Sequence, residues 1–290
     1  MAMRLVAVIV ALLAGPAVAQ PTSGPAIVAA ENFYGDVAQQ VAGADATVTS
    51  VLSNPDQDPH LFEASPSVAR QLAAAAVVVT NGADYDPWIS KLLSVSRPPG
   101  RTVLVVADLV HRKAGDNPHI WYDPPTMPTF ARALVATLAR HDPAHRAGYE
   151  DRLRGFLASL SPLDAKIDEL RGRFAGTPVT ATEPIFGYMA AALGLAVHNE
   201  RFQLAVMNDT EPGASDVAAF ERDLRSHAVR LLIFNSQASG TAAQRMVDIA
   251  RQSQVPVVGV TETEPPGKHY QEWLRDELDA VARALAGTPQ

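Results

Sequence analysis

Short apolar runs alternate along this chain with longer stretches of helical periodicity. Residues 26–30 form a continuous apolar run suited to a buried strand, and residues 32–41 then take helical spacing. Residues 47–52 alternate β-branched and small side chains. They run directly into the turn-rich segment Asn54-Pro55-Asp56-Gln57-Asp58-Pro59-His60. Ser65-Pro66-Ser67 predicts a helix start, with serine as N-cap and proline as the first helical residue. Residues 77–80 and 102–106 predict third and fourth strands, the former ended by Asn81-Gly82. Strand, helix, strand and helix at this spacing predict a parallel α/β sheet whose functional loops lie at the strand C-termini.

Asp123-Pro124-Pro125 then begins a helix that reaches about Arg140. From Asp142-Pro143 to about Phe174 one periodic segment places Leu153, Phe156, Leu157, Leu160, Leu163, Ile167 and Leu170 on a single face. About 30 helical residues span ~45 Å, more than a small domain, so this segment reads as a connecting spine that Ser161-Pro162 kinks. The second half repeats the alternation. Residues 178–181, 230–234 and 255–260 predict strands, and residues 270–286 predict a closing amphipathic helix. The first of these strands leads through Thr182-Glu183-Pro184 into a helix ending near Leu193. The expected organisation is an α/β lobe over 25–141, a linking helix over 142–174 and a second α/β lobe over 175–290.

A chain of 290 residues is long enough for two cores, and 47% hydrophobic with 19% charged residues describes an ordinary globular protein. The net charge of −7 argues against nucleic acid as a partner. Residues 1–19 predict a secretory signal: Arg4 supplies the positive start, residues 5–13 are unbroken apolar, and Ala17-Val18-Ala19 offers small residues for cleavage. There are no cysteines. Disulfides, thiolate metal sites and lipid attachment to an N-terminal cysteine are therefore excluded. The expected location is free in an exported compartment, the periplasm.

Two loops repeat a motif. Asp58-Pro59-His60-Leu61-Phe62 and Asn117-Pro118-His119-Ile120-Trp121 each aim a histidine from a proline-stiffened turn and follow it with bulky apolar anchors. Glu183 and Glu262 also follow predicted strands, so two candidate groups come from each half. Two imidazoles and two carboxylates suit a first-row divalent ion such as Mn²⁺, Zn²⁺ or Fe²⁺. Each has a blander alternative. Glu183 fits the first turn of its helix behind a Thr182 cap, Glu262 has a rival two positions on in Glu264, and either histidine fits a buried hydrogen-bonding role. The other six histidines have no such loop context.

On these residues the chain resembles the metal-binding receptors of ABC importers, periplasmic proteins that deliver zinc or manganese to a membrane permease. The resemblance covers the whole chain beyond the signal, through Asp58-Pro59-His60, Asn81-Gly82-Ala83-Asp84 with Trp88, Asn117-Pro118-His119-Ile120-Trp121, Phe186-Gly187-Tyr188 and the linking helix. It implies two α/β lobes joined by a long rigid helix, with one metal in the cleft between them. It further implies His60, His119, Glu183 and Glu262 as the ligands. Two positions depart from the usual pattern: Asn117 stands where aspartate is usual, and Glu262 is one methylene longer than the usual aspartate. With Glu183 in the third position and no histidine-rich loop between His60 and His119, the resemblance favours Mn²⁺ over Zn²⁺ as the carried ion. The expected protein is a monomeric receptor that performs no chemistry. The competing reading is an exported metal-dependent hydrolase using Glu183 or Glu264 as general base.

Overall fold

Two parallel sheets organise the molecule. The computed structural model describes residues 24–54, 62–238 and 240–287; the expected signal at 1–19 and the candidate ligand His60 lie outside the described residues. In the first half, β1 (Ala26–Glu31), β2 (Thr47–Leu52), β3 (Val77–Thr80) and β4 (Thr102–Val105) pair in the order β2-β1-β3-β4. In the second, β5 (Pro178–Ala181), β6 (Ala196–His198), β7 (Leu232–Asn235) and β8 (Val257–Val260) pair as β6-β5-β7-β8. Every residue of β3 is buried, as are all but the first of β1. A central parallel strand is covered on both faces, which is why these two appear in the sequence as unbroken apolar runs and not as alternations.

Each sheet starts at its second position, adds one strand on one side and then crosses to the other. The switch points therefore fall between β1 and β3 and between β5 and β7, and the loops leaving those strand ends open on a crevice. The helices are α1 (Asn32–Ala42), α2 (Pro66–Ala74), α3 (Pro87–Val95), α4 (Val106–Leu109), α5 (Thr126–His141), α6 (Arg146–Ser159), α7 (Ser161–Phe174), α8 (Gly187–Ala192), α9 (Glu200–Met207), α10 (Ala214–Arg225), α11 (Thr241–Gln252) and α12 (Tyr270–Ala286). The start of α2 is as expected: Pro66 lies in its first turn and the Ser65 side chain accepts the Val68 N–H at 3.5 Å.

The spine is two helices and not one. Asp142 leaves the helical region and residues Pro143–His145 form a separate 3-10 turn before α6 begins. Pro162 then interrupts the ladder, because it has no N–H for the Ala158 carbonyl and its ring crowds that group. Leu160, between α6 and α7, keeps right-handed dihedrals (φ −79°, ψ −18°), so the apolar face runs on through the break. Phe156, Leu160, Leu163, Ile167 and Leu170 are all buried along it, with Leu153 and Leu157 half-buried. The two segments serve different halves: α6 packs on α1 and α5, α7 on α12.

One continuous apolar core joins the halves. Its centre is aromatic. Phe33 of α1 stacks on Trp121 at 4.7 Å between ring centroids and lies 6.1 Å from Trp273 of α12. Trp121 in turn meets the edge of Tyr85 at 4.9 Å. Because the core is shared, the metal-free protein is expected to unfold in one cooperative calorimetric transition, and Trp273→Ala to lower stability by about 3–5 kcal/mol. Two resolved transitions in the wild type would contradict a common core.

Candidate metal centre

His119 sits at the end of a loop that leaves β4 and α4, just before a 3-10 turn at Ile120–Tyr122 whose three side chains are all buried. That buried wedge fixes the backbone, and Asn117 fixes the ring. The Asn117 carboxamide oxygen accepts the His119 backbone N–H at 3.1 Å and lies 2.7 Å from Nδ1. A carboxamide oxygen only accepts, so Nδ1 carries the proton and Nε2 presents its lone pair on the other side of the ring. At its other end, Asn117 Nδ2 donates to the Pro184 carbonyl at 2.7 Å. An aspartate cannot make that second bond, so asparagine at this position ties the His119 loop to the Glu183 turn. Gly187 makes room for the tie, since a Cβ there would lie 3.1 Å from Asn117 Nδ2.

Glu183 follows β5 in extended conformation (φ −154°, ψ 166°) and precedes the 3-10 turn Pro184–Phe186. It is itself the N-cap residue of that turn, not a first-turn residue behind Thr182, and its side chain makes no capping hydrogen bond. The carboxylate is 3% exposed. Glu262 follows β8 and is fully buried. Asn235 Nδ2 donates to its Oε1 at 2.5 Å from the second half, and the Tyr85 hydroxyl donates to its Oε2 at 2.6 Å from the first. Gln237 fixes the backbone beneath it, its Oε1 accepting the N–H groups of both Glu262 (2.7 Å) and Thr263 (3.0 Å).

Tyr85 reaches this position from a left-handed turn. Gly82, Ala83 and Asp84 have φ of 76°, 51° and 65°. The first must be glycine, because a Cβ there would lie 2.6 Å from Val105. Asp86 holds the turn by accepting the Asn81 and Gly82 N–H groups at 2.7 and 3.0 Å, and burial pushes its carboxyl up to about 6. Burial and then the neighbouring Glu262 charge push the Tyr85 phenol well above its ordinary range, which keeps it a donor.

His119 Nε2 and Glu262 Oε2 are 4.0 Å apart. One donor atom from each of His119, Glu183 and Glu262 lies within 4.8 Å of the others. A first-row ion with ~2.1 Å bonds sets tetrahedral donor separations near ~3.4 Å, so side-chain adjustments of about 1 Å close the triangle around it. Two carboxylates buried this close together are costly unless a cation balances them. The donor set therefore fits a divalent metal ion.

Glu264, the rival to Glu262, is turned elsewhere. Asn32 pins its backbone, accepting the Glu264 N–H at 3.0 Å and donating to its carbonyl at 2.7 Å. Burial, reinforced by Asp36 and Glu272, pushes the Glu264 carboxyl up to about 9, and Glu264 is not among the groups that converge with His119. Three of the six other histidines have aspartate partners: His145 with Asp142, His198 with Asp223 and His269 with Asp36. Tyr85, Asn117, Asn235 and Gln237 are the site residues that motif reading did not single out as functional. Three of them share a signal, since Asn235 ends β7, Gln237 lies two residues beyond it, and Tyr85 lies in the turn that follows β3.

Known proteins share this architecture. The periplasmic zinc binding protein TroA from Treponema pallidum superposes with a TM-score of 0.77 at 18% identity, over 91% of this chain and 99% of that one. Among relatives in sequence, the manganese ABC transporter substrate-binding lipoprotein PsaA of Streptococcus mitis is 22% identical over 284 residues, covering 90% of this chain and 89% of its own. The iron ABC transporter substrate-binding lipoprotein MtsA of Streptococcus pyogenes serotype M1 is 21% identical over 285 residues, covering 90% and 88%. The family described as the periplasmic component A of the zinc-uptake complex matches residues 27–284, and this chain belongs to that family.

Proposed function

We propose that the protein is a periplasmic receptor that captures one divalent transition metal ion, Mn²⁺ or Zn²⁺, and hands it to an ABC permease. The observation that carries this reading is the convergence of a buried imidazole and two buried carboxylates, drawn from both halves of the molecule, on one point. His119, Glu183 and Glu262 are three of the ligands, and His60 is the fourth. Glu183 is a harder donor than a third histidine and tilts preference toward Mn²⁺. The ion is cargo and not a catalytic centre. The receptor works as a monomer, with lobes at 25–141 and 175–290 linked through 142–174. Unlike relatives named as lipoproteins, it has no cysteine to acylate, so it moves free in the periplasm after removal of residues 1–19.

Replacing His60 or His119 by alanine is expected to lower metal affinity sharply without unfolding the metal-free protein. A competition titration checks this, and unchanged affinity in both variants would mean that the site is misplaced.

A ligand that binds only the folded state adds ~2.7 kcal/mol of stability at a hundredfold excess over Kd. Thermal unfolding with and without Mn²⁺ or Zn²⁺ is expected to separate clearly at neutral pH. The gap should narrow toward about pH 5, because a protonated imidazole cannot coordinate. Absence of any metal-dependent shift across that range would count against the reading.

Glu183→Gln removes an anionic donor, so metal affinity is expected to fall far more than metal-free stability. Glu183→His substitutes a softer donor and is expected to move selectivity toward Zn²⁺. Equal Zn²⁺/Mn²⁺ preference in wild type and both variants would remove Glu183 from the ligand set.

A further inference from the structure

Glu277, on the buried face of α12, is 8% exposed and is not among the candidate ligands, yet it contacts two of the loops that carry them, those of His119 and Glu262. Its Oε1 accepts two donors, the Trp273 indole N–H at 2.9 Å and the Thr261 backbone N–H at 3.1 Å. Its Oε2 lies 2.8 Å from the Tyr122 hydroxyl, and that hydroxyl lies 2.8 Å from the Thr261 carbonyl as well. A phenol has one proton to give. Both separations are those of a full O–H···O bond, so one of the two contacts needs a second proton. A neutral carboxyl supplies it. With that proton on Oε2, Glu277 would donate to the Tyr122 oxygen, Tyr122 O–H would donate to the Thr261 carbonyl, and the Thr261 N–H returns to Glu277 Oε1.

The surroundings agree with that assignment. Burial pushes the Glu277 carboxyl up to about 7 and outweighs the contacts with Tyr122, Trp273 and Thr261, and then the Lys268 charge, all of which pull it down. Lys268 pairs with Asp276 instead, and Lys166 of α7 pairs with Asp279 at 2.8 Å. Tyr122 and Tyr270, which also face Glu277, bring no positive charge. Lys268 and Lys166 are each paired with another carboxylate, so desolvation prevails and the neutral form is the less costly one to bury.

We propose that Glu277 is a protonated positioning residue: the closed ring it forms with Tyr122 and Thr261 holds the His119 wedge against the Glu262 loop and sets the spacing of those two ligands. Tyr122 lies three residues beyond His119, and Thr261 immediately precedes Glu262. The inference rests on the metal-receptor reading above.

Glutamine mimics the protonated acid, since its amide N–H donates to Tyr122 while its carbonyl accepts from Trp273 and Thr261. Leucine keeps bulk and loses the ring. Mn²⁺ affinity would be measured by competition for wild type, Glu277→Gln, Glu277→Leu and Tyr122→Phe, alongside thermal unfolding of each metal-free protein. Glu277→Gln is expected within about twofold of wild type. Glu277→Leu and Tyr122→Phe are expected to be weaker by about tenfold, the lower end of what losing a group that orients metal ligands costs. An infrared difference spectrum at about pH 6 should show a carboxylic-acid C=O band in wild type that Glu277→Gln lacks. Glu277→Gln as weak as Glu277→Leu would overturn the proposal, because charge and not the proton would then matter. Wild-type affinity in folded Glu277→Leu would overturn it too, and should that variant not fold, wild-type affinity in folded Tyr122→Phe does the same. A wild type that binds neither Mn²⁺ nor Zn²⁺ would sink the receptor reading itself, and this inference with it.

Discussion

The packing of Trp121 is the constraint on which the rest of the site depends. Its indole is fully buried among Phe33, Tyr85 and Tyr122, two residues beyond His119. Apolar burial of this size is non-directional, but a rigid ring with aromatic neighbours on several sides has few orientations open to it. The backbone on either side inherits that rigidity. His119 can therefore be buried at the meeting of two sheets without a regular element of its own to hold it. Trp273, reaching in from α12, extends the same packing into the second half, so candidate donor groups contributed by different halves keep a common frame.

Charge balance is the second requirement. Glu262 is clamped by one donor from each half, Tyr85 and Asn235, and Glu183 lies within donor distance of the same cluster. Hydrogen bonds lower the cost of burying such carboxylates without cancelling it. On the proposed ligand set, the molecule would hold back part of its stability until a cation arrives, which would couple metal capture to a firmer fold.

Much of the fold is legible in the amino-acid sequence. The central strands β1 and β3 stand out because burial on both faces demands unbroken apolar runs, and α12 because its apolar stripe is clean. β6 is not legible: one exposed and two half-exposed residues at a sheet edge carry too little pattern. The spine reads as continuous because Leu160 stays right-handed, so the apolar face crosses the proline break without losing phase. Which of Glu262 and Glu264 faces His119 and Glu183 lies beyond sequence patterning. It is set by Gln237 clamping one end of the loop and Asn32 the other, contacts 25 and 232 residues away along the chain. Asn117 is visible as a departure from the family pattern, but its reason lies in the Pro184 carbonyl that folding brings beside it.

That asparagine has a mechanical consequence. One planar amide grips the imidazole of His119 with its oxygen and the turn behind Glu183 with its nitrogen, and the plane does not bend. A displacement of the Glu183 turn would therefore pull on the amide, and through it on the ring. On the proposed ligand set the two donors would be yoked, arriving at an ion together and leaving it together. A cation held by one of them alone would be disfavoured by the linkage itself, so loading and unloading would be concerted events instead of proceeding one bond at a time.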